Sequence, residues 1–232
     1  CALPIFIYEG TYKYEDFDKV GDTYTLKRNV PYFSSESNTQ PGMPKYADLN
    51  GDGIIDDNDR TMIGNGMPKH TGGFTNNFEY KGFDLSIFFQ WSYGNDVLNA
   101  NRLFFENSNK TRDLNQYASY ADRWTPENPE SNIPRATDSG SNKVFSTRII
   151  EDGSFLRLKT VSLGYTLPKQ LTKKWKIDNA RVFVAGQNLW TCTGYSGYDP
   201  EVSIREGALT PGLDFSAYPR AYSISFGINL GF

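Results

Sequence analysis

Apolar and polar residues alternate along several stretches of this chain, and the clearest runs from Arg220 to Phe232. Tyr222, Ile224, Phe226, Ile228, Leu230 and Phe232 fall on one parity, and Ala221, Ser223, Ser225, Gly227, Asn229 and Gly231 on the other. Side chains alternate faces along a strand, so this pattern predicts a strand with one greasy face and one small, polar face. Phe83 to Tyr93 repeats it, with Phe83, Leu85, Ile87, Phe89, Trp91 and Tyr93 in phase. Gly73 to Tyr80 carries Phe74, Phe78 and Tyr80 in phase, and Lys81-Gly82 joins the two stretches as a tight hairpin turn. Further strands are predicted at Pro4 to Tyr14, at Ser154 to Leu167 (Val161, Leu163 and Tyr165 outward) and at Asn179 to Trp190.

The connections alternate long and short. Polar segments run from about Asp16 to Lys69, from 94 to 153 and from 191 to 219. Within the second, Asn95 to Glu106 and Leu114 to Trp124 read as short helices or irregular loop. The short connections are Lys81-Gly82 and a basic stretch, Pro168 to Asp178, with Lys169, Lys173, Lys174 and Lys176. Long loops at one end and short turns at the other suit a barrel with hydrocarbon outside and a wet lumen inside. The same stripes also suit a soluble sandwich packed on its own core. Arg157 and Lys159 share parity with Val161, Leu163 and Tyr165. Either both meet lipid head groups at one end of the strand, or a bulge flips them into the lumen. Six strands cannot close a membrane barrel, because two open edges would leave unpaired backbone groups in hydrocarbon. The remaining strands are therefore expected from elsewhere.

Composition narrows the field. Hydrophobic residues make up 38% and aromatics 15% of the 232 residues, which suits an all-β chain with long polar loops. A net charge of −3 offers no basic surface for nucleic acid. No run of about 18 apolar residues exists to cross a bilayer as a helix. Cys1 and Cys192 are far apart and show no metal-type spacing; they read as incidental thiols or as a disulfide. His70 is the sole histidine, so a His-based metal centre is excluded. The opening Cys1-Ala-Leu-Pro lacks an initiator Met and an apolar leader, and reads as a mature or partial chain.

One segment carries chemistry. Asp48, Asn50 and Asp52 occupy positions one, three and five of an EF-hand-like loop spanning residues 48–59, with Gly53 at six. Ile54 would offer its carbonyl at seven, Asp56 a contact at nine, and Asp59 closes the loop at twelve. Hard oxygen donors on alternate residues suit Ca2+ or another divalent ion; solvated Asn-Gly and Asp-Gly turns are the alternative. Pro41, Gly42 and Pro44 rule out a helix before it. The clustered acids Asp56, Asp57 and Asp59, and Glu127 with Glu130, read as solvated rather than catalytic, so no enzyme is expected. Trp91, Trp124, Trp190, Tyr195 and Tyr198 are candidates for stacking on a ligand. Tyr195 and Tyr198, in a loop, are the better ligand or partner residues.

Several stretches together resemble one family. Asp48 to Asp59 with Ile63-Gly64, Pro68, Gly72-Gly73, Asn76-Asn77 and Tyr80 to Ser86 are similar to the late barrel of SusC/RagA-type TonB-dependent transporters. So are Asp152 to Lys159, Ser162 to Pro168, Gly186-Gln187-Asn188-Leu189, Tyr195 to Glu201 and the ending Tyr222 to Phe232. Phe232 in particular resembles the terminal aromatic signal of outer-membrane barrels. The Cys in Trp190-Thr191-Cys192 departs from the family pattern. The resemblance implies an all-β, antiparallel transmembrane β-barrel of about 22 strands with a plug, to which residues 1–232 contribute about six C-terminal strands. It implies import of glycans, oligosaccharides or peptides across the bacterial outer membrane, long loops extracellular. The implied partners are a SusD-like surface lipoprotein, outer-membrane lipid, the remaining strands and plug, and the TonB complex through an N-terminal region absent here. The competing expectation is a soluble calcium-binding β-sandwich adhesin or binding module.

Overall fold

The computed structural model describes residues 4–107, 115–137, 144–201 and 211–232. The chain divides into two compact units. The first comprises Cys1–Gly66, Leu98–Ile150 and Ser203–Ser216, and the second Met67–Val97, Glu151–Val202 and Ala217–Phe232.

The second unit is built on one antiparallel sheet. Its strands are β1 (His70–Tyr80), β2 (Phe83–Tyr93), β3 (Phe155–Thr166), β4 (Asn179–Thr193) and β5 (Ser223–Gly231), side by side in chain order. Phe83 lies opposite Tyr165, Thr166 opposite Arg181, and Asn179 opposite Gly231, so both short connections share one end of the sheet. The long connections, 94–154 and 194–222, leave from the other end. Lys81 and Gly82 both have positive φ, 47° and 87°, the signature of a type I′ turn that matches the twist of its strands.

Register keeps one face apolar across all five strands. Phe83, Leu85 and Ile87 of β2 oppose Tyr165, Leu163 and Val161 of β3, and Val182 and Val184 of β4 oppose Ile228 and Phe226 of β5. This face is uncovered: Phe226 is 82% exposed, and Phe78, Phe83, Leu163, Trp190 and Ile228 are exposed with it. The other face carries Asn77, Ser86, Ser162, Gln187 and Ser225.

A bulge decides the ambiguity at Arg157 and Lys159. The β2–β3 register shifts between Phe88 and Phe89, so that Phe89 opposes Leu158 and Trp91 opposes Leu156. Lys159 is the extra residue. The β3–β4 register shifts at the same level, where Asn188 takes a left-handed φ of 52°. Parity therefore flips. Leu156 and Leu158 join the apolar face, and Arg157 turns to the polar face opposite Gln90.

The expected strand at Pro4 to Tyr14 is corrected, and the barrel-type sheet has five strands among the described residues. Pro4–Ile5 pairs with Thr61–Met62, and Tyr8–Thr11 pairs with Pro44–Tyr46, both in the first unit. Adjacent Ile5 and Phe6 are both buried, which a two-faced strand does not permit, and Gly10 at φ 109° breaks the run. The segment from Asp16 to Lys69 is likewise more than polar loop. Phe6, Tyr46 and Ile55 form one small core, and Tyr12, Phe17 and Leu26 another. Burial pushes the Tyr12 phenol above its ordinary pKa, and its hydroxyl donates to the Pro31 carbonyl at 2.7 Å. Asp96–Asn99 is a strand and Asn101–Phe105 a short helix, and Ala118–Asp122 is a 3-10 turn. Cys1 and Leu114 lie outside the described residues, while Cys192 is a free, exposed thiol.

Gly82→Ala tests the hairpin. Its Cβ would lie 2.9 Å from the Thr166 carbonyl oxygen at a φ of +87°. A loss of about 1–3 kcal/mol in denaturant unfolding is expected, against no change for Gly21→Ala, where φ is +64° but space is open, beyond the shared backbone cost of about 1 kcal/mol.

Candidate functional site

The 48–59 loop lies in the first unit and is organised by its own side chains. Asp48 accepts the N–H groups of Gly51 at 2.7 Å and Gly53 at 2.8 Å. Asn50 accepts from the Asp52 N–H, Asp52 from the Ile54 N–H, and Asp56 from the Asn58 N–H, each at 2.8–2.9 Å. These are successive Asx turns, which these residue types favour. Asp59 differs from the others because it is 0% exposed. Its Oδ1 accepts from Leu49 and Asn50, and its Oδ2 from Asp56. Burial pushes its carboxyl upward, but the Asp56, Leu49 and Asn50 N–H donors outweigh that and hold it below the usual carboxylate range. Asp59 thus clamps one end of the loop onto the other. Ile54–Ile55 pairs with Tyr32–Phe33, and buried Ile55 anchors the loop in the Phe6–Tyr46 core.

The donor set suits a hard divalent cation in type. Each carboxylate oxygen that accepts one N–H keeps a second lone pair, and Asn50, Asp52 and Asp56 are exposed. Among the described residues no three His, Cys, Asp or Glu side chains converge as a ready cluster. An ion would therefore have to gather these oxygens around itself.

The second candidate lies in the second unit, where the expected pair separates. Tyr195 is 6% exposed, whereas Tyr198 is 81% exposed. Tyr195 packs against Gly197, and its N–H donates to Thr193 Oγ1. Ser196 is held by Glu151 through both its N–H and its hydroxyl at 2.8 Å. Tyr195 therefore anchors the segment that carries Tyr198 outward. Phe232 is exposed at the short-turn end.

Beside this segment lies an ion network that alternation alone could not identify. Buried Arg157 donates to buried Asp199 at 2.5 Å and approaches Glu201 at 3.2 Å. Lys159 and Arg220 also reach Glu201, at 3.3 Å and 3.1 Å. Asp199 further accepts the backbone N–H groups of Glu201 and Arg220. Burial raises the Asp199 carboxyl, but Arg157 and these N–H donors prevail and leave it below the usual range. The network ties residues 199–201 and 220 to the bulge in β3. A pair of cations on an otherwise apolar parity was the only signal of it in the sequence. A second pair, Asp84 and Arg181, spans β3 above Gly164, where any Cβ would collide with both side chains.

Trp124 is buried against Gly42 and Tyr14, with the Arg135 guanidinium 5.6 Å from its ring centre. It borders a cavity of about 460 Å³ shared with Tyr14, Tyr24 and Gln40. The indole Nε1 of Trp91 donates to His70 Nδ1 at 3.1 Å, on the apolar side of the sheet.

Arg157→Met should leave Asp199 buried without its counter-ion and destabilise the second unit by about 3–5 kcal/mol, read by urea unfolding. Because the folded Asp199 pKa is depressed, its contribution is present above about pH 4 and fades as pH falls through the folded value. The 194–201 segment should therefore become protease-sensitive in acid in the parent protein, and already at neutral pH in the variant.

No protein-family model matches the chain. It is 34% identical over 97% of its length to TonB-dependent receptor P3 of Formosa agariphila, covering 21% of that protein. It is 39% identical over 82% of its length to TonB-dependent receptor P26 of the same organism, covering 20% of it. To TonB-dependent receptor SusC of Bacteroides thetaiotaomicron it is 28% identical over 85% of its length, covering 18%. A solved structure of the RagAB peptide transporter matches all of the chain with a TM-score of 0.72 at 26% identity, over 23% of that chain. The chain thus spans about a fifth of the length of the curated relatives it matches.

Proposed function

This chain belongs to the SusC/RagA-like TonB-dependent receptors, and on that premise we propose that it forms part of the wall of an outer-membrane importer for oligosaccharides or peptides. One observation carries the reading. A mainly apolar face, interrupted by Asn76, stays in phase through five neighbouring strands and lies uncovered, while the opposite face is mainly polar, with Phe88 and Phe183 as its large apolar members. In water, Phe226, Ile228, Phe78 and Phe83 would demand a second layer; in hydrocarbon they need none. The soluble sandwich fails on this point, because a sandwich buries its apolar stripes between two sheets.

The short turns then face the periplasm, and the long connections, with the 48–59 loop and Tyr198, face outward. A SusD-like lipoprotein is the partner for that outer side, and TonB drives transport through parts of the protein outside this chain. The likeness to RagAB, a peptide transporter, favours peptides, and the relationship to SusC keeps oligosaccharides in play. Within this chain, Tyr198 is the side chain best placed to meet cargo or partner.

The full-length protein is expected in the outer-membrane fraction, migrating faster on gels when unheated than when boiled. Phe226→Arg, at the middle of β5, should cost about 2–4 kcal/mol and abolish the fast-migrating form. Recovery of the parent protein in the soluble fraction without detergent would overturn the reading.

We also propose that Ca2+ binds the 48–59 loop through Asp48, Asn50, Asp52, Asp56 and the Ile54 carbonyl, as a structural rather than catalytic ion, without Asp59, the closing ligand expected from spacing, which is buried and engaged by three backbone N–H groups. It would neutralise neighbouring carboxylates and stiffen an exposed loop. Calorimetry should show one site with a Kd of about 10⁻⁴–10⁻³ M, weakened by Asp52→Asn. Absence of binding at millimolar Ca2+ would leave the loop as a set of Asx turns.

A further inference from the structure

The turn between β3 and β4 has a composition unlike the rest of the chain. Residues 169–176 hold Lys169, Lys173, Lys174 and Lys176 and no acid, in a protein of net charge −3. The turn is ordered. Lys169–Thr172 is a single helical turn, Lys173–Trp175 continues it as a 3-10 turn, and Lys176 ends it with a left-handed φ of 58°. Buried Thr172 fixes it, since its carbonyl accepts the Ile177 N–H. Lys169 and Lys173, four residues apart, share one side of the turn, and Leu171 and Trp175 share another. Leu171 is 52% and Trp175 67% exposed. None of the four lysine ammonium groups has an ion-pair partner among the described residues.

The turn sits at the short-turn end of the sheet, continuous with the apolar face. Phe83 and Tyr165 touch there at 4.5 Å between ring centres, and the Lys81 ammonium stands 5.1 Å from the Tyr80 ring centre. Aromatic rings with lysines beyond them, at the rim of an uncovered apolar face, match the layering of a bilayer: chains, then glycerol, then phosphate.

We propose that the β3–β4 turn is a docking surface for anionic phospholipid. Leu171 and Trp175 enter the acyl–glycerol boundary, and Lys169, Lys173, Lys174 and Lys176 hold head-group phosphates. The proposal rests on the membrane-barrel reading above and adds a lipid preference to it. Charge complementarity selects the occupant: an uncharged surface would leave four unpaired ammonium groups without counter-ions, whereas a phosphate layer supplies them.

The test uses the full-length receptor in vesicles of phosphatidylcholine with increasing brominated phosphatidylglycerol or brominated phosphatidylcholine. The difference in fluorescence quenching between the parent and Trp175→Phe isolates Trp175. The expected result is quenching of Trp175 at a lower mole fraction of the anionic lipid than of the neutral one. The apparent association with the anionic lipid should fall about five-fold for each lysine removed in Lys173→Gln and Lys174→Gln. That double variant retains Trp175, so the difference in total tryptophan quenching between it and the parent gives a second readout that does not need the Phe variant. Raising salt from about 0.1 M to 1 M should erase the preference, since the screening length shrinks from about 10 Å to 3 Å. Equal quenching by both lipids overturns the proposal and leaves the barrel standing. So does an unquenched Trp175 beside quenched Trp91 and Trp190. If none of these tryptophans is quenched by either lipid, the barrel reading falls and the proposal with it.

Discussion

One constraint governs the second unit: an apolar face in contact with hydrocarbon must hold its phase from strand to strand. A slip of one residue in any pairing would turn a strand's whole apolar set inward. Phe83–Tyr165, Leu85–Leu163 and Ile87–Val161 hold that phase between β2 and β3, and Val182–Ile228 and Val184–Phe226 hold it between β4 and β5. Where β3 carries Arg157 on the wrong parity, a bulge at Lys159 resets the phase instead of breaking it. The shift at Asn188 carries the correction on to β4.

The bulge also creates the chemistry on the polar side. Arg157, once turned inward, would be a buried cation in need of counter-charge. Asp199 and Glu201 supply it, and Lys159 and Arg220 complete the network. The loop that bears Tyr198 is thereby tied to the sheet at a point where the sheet had to be irregular. The first unit solves a similar problem with neutral donors. Asp59 accepts three backbone N–H groups and closes an acid-rich loop, and Ile55 ties that loop to an aromatic core.

At the opposite end of the sheet the requirements differ. The turns are short, and the basic turn of residues 169–176 presents its cations beyond an aromatic rim. One sheet therefore carries two kinds of charge. The buried pair of Arg157 and Asp199 sits on the polar face near the long connections, and Asp84 and Arg181 pair less deeply on the same face towards the short turns. Unpaired and exposed charges sit beyond the apolar face at the short turns.

The sequence by itself determined all five strands of the sheet to within a few residues, the tight turn between β1 and β2, and the separation of long from short connections. Period-two patterning is a local property, so it survives being read without neighbours. Sequence also marked residues 48–59 as an oxygen-rich loop, because spacing alone sets that pattern. Tertiary structure decided the rest. Pro4 to Tyr14 has strand-like composition, but its partners are Thr61–Met62 and Pro44–Tyr46, and pairing over such separations leaves no local trace. Tyr195 and Tyr198 look equivalent in a list of residues; packing against Gly197 buries one and leaves the other in solvent. The direction of Arg157 hung on a single extra residue, and a bulge is fixed by the ladder on both sides of a strand rather than by the strand's own side chains.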